Sequence, residues 1–117
     1  MTTIRIVCEA AGVDMTATLT DSRTSSELVR LLPVEGTAQR WGDEVYFGIP
    51  LELGPESPVE SVAVGDIGYW PTGSAFCVFF GQQPYSAVTP LGSVDGDVGE
   101  FRAVSDGDLV RLERVAD

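Results

Sequence analysis

The chain has no lysine, no histidine and no asparagine, and only two cysteines among its 117 residues. Each absence removes a class of chemistry. Without lysine there is no P-loop lysine and no Schiff-base nucleophile. Without histidine there is no Ser-His or Cys-His catalysis and no histidine-ligated metal. Cys8 and Cys77 lie too far apart in sequence to build a structural zinc site by themselves, and they imply no disulfide framework. No long apolar run occurs either. The longest, Ala75–Phe80, is far short of a membrane span. The first residues alternate at once, with no basic leader followed by an apolar stretch. A cytoplasmic protein is the expectation.

Positive charge is scarce. Eighteen acids face seven bases, a formal net charge of −11, and every base is an arginine. A field this negative repels phosphate backbones and anionic lipid, so neither nucleic acid nor membrane is an expected partner. Adaptation of the surface to a salty or crowded solution accounts for the acidity without invoking a cationic substrate. Yet 44% of the residues are hydrophobic, which separates the chain from disordered acidic tails. Its length is that of one domain, residues 1–117, able to bury a core without staples.

What is present is mostly period-two alternation. Thr2–Cys8 and Val13–Leu19 alternate on either side of Ala11-Gly12 and read as an antiparallel hairpin. Within Asp21–Leu32, Thr24-Ser25-Ser26-Glu27 matches a capping box, followed by Leu28, Leu31 and Leu32 at helical spacing and by Pro33 as a stop. This predicts a short amphipathic helix covering an open end of a sheet or barrel. Val34–Arg40 and Glu44–Ile49, around Trp41-Gly42-Asp43, read as a second hairpin, with Trp41 and Tyr46 as a cross-strand pair. Three prolines make Pro50–Val59 a loop. Further extended pieces are expected at Val62–Val64, Ile67–Trp70, Ala75–Phe80, Leu91–Asp97 and Leu109–Val115, with one turn of helix near Phe101–Val104. About eight short strands with one or two short helices indicate a mainly β domain, barrel or sandwich.

The most specific stretch is Gly65-Asp66-Ile67-Gly68-Tyr69-Trp70-Pro71-Thr72-Gly73-Ser74-Ala75-Phe76-Cys77-Val78-Phe79-Phe80-Gly81-Gln82-Gln83-Pro84. With Arg40–Phe47 and the closing Asp106-Gly107-Asp108-Leu109-Val110 it resembles a family of small prokaryotic cyclophilin-like domains whose role is not established. The resemblance implies a closed eight-stranded β-barrel with a helix capping one end. Cyclophilins proper are peptidyl-prolyl isomerases. They lower a rotational barrier of about 20 kcal/mol with an apolar proline pocket and an arginine aimed at the prolyl nitrogen. The strand matching the arginine-bearing one, Ser74–Phe80, has no arginine, and the pocket histidine has no counterpart. Gln82 or Gln83 is the nearest available polar group.

Strand alternation sends Phe76 and Val78 to one face, and Cys77 and Phe79 to the other. Core packing accounts for most aromatics of this cluster. Trp70-Pro71 is the pair expected at a recognition surface, since tryptophan has a polar edge. The predicted ligand-binding set is Trp70, Phe79, Gln82, Tyr85 and Tyr46, without catalytic residues, metal or cofactor. Cys77 reads as a buried small hydrophobe. Asp95-Gly96-Asp97 with Glu100 lacks the spacing of a calcium loop and reads as a solvated turn. Asp43-Glu44, with no partner carboxylate, reads as turn and surface charge. The expected function is binding of a peptide or small apolar ligand with little or no isomerase activity. The alternatives are an isomerase with substitute polar groups and an interaction domain for a partner protein.

Overall fold

Alternating side chains close most of the chain into a single curved sheet. The computed structural model describes residues 1–115. Its strands are β1 (Thr2–Cys8), β2 (Val13–Leu19), β3 (Val34–Thr37), β4 (Gln39–Arg40), β5 (Glu44–Gly48), β6 (Asp66–Trp70), β7 (Ala75–Phe79), β8 (Thr89–Val94) and β9 (Leu109–Arg114). One α-helix, α1 (Arg23–Leu31), and three short 3₁₀ helices complete the elements. The strand order is β3-β9-β1-β2-β8-β6-β7-β5-β4, and every pairing is antiparallel. This is a nearly closed barrel of nine strands where the sequence pointed to eight.

The extra strand arises at the seam. Val34–Arg40 does not pair as a whole with Glu44–Ile49. Its first half, β3, pairs with β9, and its second half, β4, pairs with β5 at Gln39↔Tyr46 and Arg40↔Val45. Between them the Ala38 N–H donates to the Asp108 carbonyl at 2.7 Å. One run of chain therefore supplies both edges of the sheet. Where it crosses β5 the approach is tight. A Cβ on Gly36 would lie 2.7 Å from the Gly48 carbonyl oxygen and 3.0 Å from the Phe47 ring, so only glycine fits.

The interior follows the predicted alternation. Ile4 and Ile6 of β1, Val45 and Phe47 of β5, Phe76 and Val78 of β7, and Val110 and Leu112 of β9 fill one core, all essentially inaccessible. α1 lays Leu28 into the same core. Its N-cap is not the predicted Thr24. Ser22 is the cap, and its hydroxyl accepts the Ser25 N–H at 3.0 Å. Thr24 is buried within the first turn, and its hydroxyl donates to Glu56 at 2.7 Å, while Glu27 pairs with Arg30 at 3.8 Å. Both options satisfy an N-cap rule locally; the Thr24–Glu56 contact across 32 residues decides between them.

Val62–Val64 forms no strand. It belongs to an irregular run whose one ladder contact is the isolated bridge Val59↔Val88. The Asp95–Glu100 segment is a turn, as expected. The Asp95 carboxylate accepts from Thr16 and Thr18, both at 2.8 Å, and Asp97 caps a 3₁₀ helix through the Gly99 N–H. No cluster of metal-ligating side chains occurs among the described residues, and no helix there is long and apolar enough to cross a membrane.

Candidate functional site

The outer face of β5, β6 and β7 carries a second, smaller apolar cluster. Cys77, Phe79 and Val88 form its buried part, with Tyr46, Val59, Val62 and Trp70 packed on it. The β5–β7 register places Glu44 opposite Phe79 and Tyr46 opposite Cys77, so Glu44 and Tyr46 share this outer face. Two irregular segments build walls on it. The 59–65 segment is clamped to the loop after β7 by Gln83, whose amide accepts from the Val62 N–H at 2.9 Å and donates to the Val62 carbonyl at 3.1 Å. That loop, residues 81–88, is tied to the β4–β5 turn by the Asp43 carbonyl, which accepts from the Gln82 N–H at 3.4 Å and from the N–H of the preceding Phe80 at 2.9 Å. It is tied to β6 by Trp70, whose indole N–H donates to the Ser86 hydroxyl at 2.7 Å.

Between the 81–88 loop and the β4–β5 turn lies a concavity of about 210 Å³. Its floor is Glu44, Tyr46 and Val88; its sides are Trp41, Trp70 and the 84–86 segment with Tyr85. The rings are arranged edge to face in two pairs. Trp41 meets Tyr85 with centroids 5.7 Å apart, and Tyr46 meets Trp70 at 6.2 Å. The expected Trp41–Tyr46 pair is therefore replaced by these two. Trp41 instead sits across the turn from Glu44, exchanging two backbone hydrogen bonds with it at 3.0 Å. Trp70 holds its orientation because the 3₁₀ turn after β6 passes directly beneath the indole. A Cβ on Gly73 would lie 2.5 Å from the ring.

Three of the five predicted site residues, Tyr46, Trp70 and Tyr85, come together in this concavity. Two do not line it. Phe79 is completely buried beneath the floor. Gln82 packs against the Gly42 turn outside it. Trp41 and Glu44 line the concavity but were not in the predicted set. The one usable signal for Glu44 was its two-residue spacing from Tyr46 on a strand.

Glu44 corrects the surface-charge reading outright. It is 6% exposed. Removal from water disfavours its charged form and raises its pKa from 4.5 to about 7, an effect partly opposed by the neighbouring Cys77 thiol. Burial, and next the charge of Glu44, push the Cys77 thiol well above its ordinary value, so it is an inert neutral group, as its apolar strand implied. Asp43, the other half of the pair, is half-exposed and 4.0 Å from Arg40. Arg40 itself is committed to structure. Its guanidinium lies 5.0 Å over the Phe80 ring and donates to the carbonyls of Gly42, Arg102 and Val104. The concavity is thus an aromatic box with one carboxyl group on its floor and no arginine in its lining.

The sequence model of the Cyclophilin-like family matches residues 2–113. The solution structure of the hypothetical protein AF2241 from Archaeoglobus fulgidus shares the fold with a TM-score of 0.81 at 31% identity, over 97% of this chain and 95% of that one. A structure of McbB in complex with tryptophan is similar with a TM-score of 0.78 at 21% identity. That likeness, over 97% of this chain and 46% of McbB, extends to the fold alone. No curated protein matches the chain at a significant level.

Proposed function

Given that the chain belongs to the Cyclophilin-like family, and that one fold hosts many functions, we propose that it is a binding module. It receives a small apolar group, free or presented by a peptide, between the β4–β5 hairpin and the 81–88 loop. One observation carries this reading: two edge-to-face aromatic pairs line open space on the outer face of the barrel. The volume sets the scale. At about 210 Å³ it is smaller than drug-sized pockets of roughly 300–1,000 Å³. It suits one side chain or a fragment-sized ligand.

Isomerisation is not part of the proposal, because no guanidinium lines the concavity to meet a twisting prolyl nitrogen. Chemical-shift mapping with an N-acetylated Ala-Ala-Pro-Phe amide and with benzyl alcohol tests the binding reading. Perturbation of the Trp41 and Trp70 indole N–H signals is expected, and unmoved indoles with every probe would remove it. A coupled isomerase assay on the same peptide sequence tests the other half. Acceleration that disappears in Trp70→Ala would show an isomerase using substitute polar groups.

A further inference from the structure

We propose that the ligand received by this concavity carries an organic ammonium group, held by the Glu44 carboxylate against the faces of the surrounding aromatic rings. The inference rests on the binding reading above and adds the charge of the ligand. Charge complementarity carries it. Glu44 is the one carboxylate in the lining, and it is buried. None of the ion pairs among the described residues includes it. A buried carboxylate without a cation is costly to ionise, and an arriving cation recovers that cost. The other lining groups select the kind of cation. Tyrosine and tryptophan faces attract organic cations through the ring quadrupole. A hard metal ion wants six or more oxygen ligands, which a single carboxylate does not approach. A lysine side chain of a partner peptide and a free alkylamine share the ammonium chemistry, and both fit the volume.

The test uses the whole chain and its two tryptophans, Trp41 and Trp70, both of which line the concavity. Their fluorescence and indole N–H shifts are followed with benzylammonium chloride, with neutral benzyl alcohol and with N-acetyl-lysine methylamide. Benzylammonium is expected to bind more tightly than the alcohol, and Glu44→Gln is expected to weaken it at least about 10-fold while shifting the alcohol by no more than about 3-fold. The variant removes one of the chain's eighteen acids, so it also controls for diffuse attraction to the acidic surface. Whichever of benzylammonium and the lysine amide binds tighter identifies the source.

A titration of the unmodified protein gives a second readout. Cys77 borders Glu44, Tyr46 and Tyr85 share its concavity, and the Arg40–Asp43 pair lies at the adjoining turn. With Glu44 near 7, only about 3% of it is ionised at about pH 5.5, so benzylammonium affinity should rise about 30-fold towards about pH 8.5. Equal affinity for benzyl alcohol, unchanged by pH and by Glu44→Gln, would overturn the ammonium assignment and leave the binding reading standing. Indole signals unmoved by all three probes would overturn both.

Discussion

Replacing Glu44 by glutamine should stabilise the fold increasingly as pH rises from about 4.5 to about 7, and by a constant amount above that. The sign follows from the raised pKa. In the unfolded chain this carboxyl ionises near its ordinary 4.5, whereas in the folded chain it holds its proton until about 7. Between those values the folded state binds more protons, so stability falls as pH rises through that window and levels off above it. Each pKa unit corresponds to about 1.4 kcal/mol, which caps the loss at about 3 kcal/mol. Water enters the open side of the concavity, so the realised difference should be about 1–2 kcal/mol. For a domain of this size that is roughly 4–8 °C in Tm. The window is unusually clean, because the chain contains no histidine, the side chain that ordinarily titrates there. The other perturbed groups lie outside it: Asp14 and Glu56 are lowered, and the two cysteines are raised. Urea or thermal unfolding of both proteins from about pH 4 to about pH 8 is the assay. The curves should converge near pH 4, diverge up to about pH 7 with the variant higher, and run parallel above it. Parallel curves across the range would refute the burial argument, and with it the claim that Glu44 sits uncompensated on the floor.

Gly36→Ala should cost about 1–3 kcal/mol in chemical unfolding, because its methyl would meet the Gly48 carbonyl at 2.7 Å and neither backbone can yield cheaply; a neutral result would mean the seam is looser than described. Ser22→Ala should lower stability by about 1 kcal/mol through loss of the helix cap, whereas Thr24→Ser, which keeps the hydroxyl bonded to Glu56, should change it less. Cys8 and Cys77 are both free and buried, so a thiol reagent at neutral pH should label them only at the rate of unfolding; prompt labelling of Cys77 would contradict its packing beneath the aromatic floor.

The barrel was legible where side-chain alternation is decisive. Ala75–Phe80 reads as buried on both faces, and it is: along β7, Phe76 and Val78 enter the barrel while Cys77 and Phe79 enter the outer cluster. The seam was not legible. Val34–Arg40 is a single extended run in sequence, and nothing local says that its halves have different partners. That choice is made by β9, which arrives some 70 residues later. The site divides the same way. Trp70 is legible as an exposed aromatic because tryptophan has a polar edge, and the structure places it with Tyr46 on the lining of one concavity. Phe79 reads as a ligand contact but lies buried beneath the floor, because parity gives a face but not a depth. Glu44 looked like turn charge because it follows Gly42-Asp43. Its burial comes from a loop about 40 residues away, held down by Gln83 and by the Trp70–Ser86 hydrogen bond. Periodicity along one strand carries no record of what another segment lays over it.

The position of β9 also bears on how the molecule is made. In the sheet it stands between β3 and β1, yet it is the last of the nine strands in chain order. Until it emerges, β1 and β3 each expose an unpaired edge, and the run through Ala38 has nothing to turn against. Local hairpins such as β1–β2 and β6–β7 can form early, and the other pairings among β1, β2 and β4–β8 need no residue of β9. Closure must therefore follow synthesis of nearly the whole domain, in the slow regime of long-range strand pairing. A nascent chain stalled before Leu109 would present two sticky borders to its neighbours. The same arrangement that leaves the finished barrel with scarcely a free edge makes its unfinished form the most aggregation-prone moment in its life.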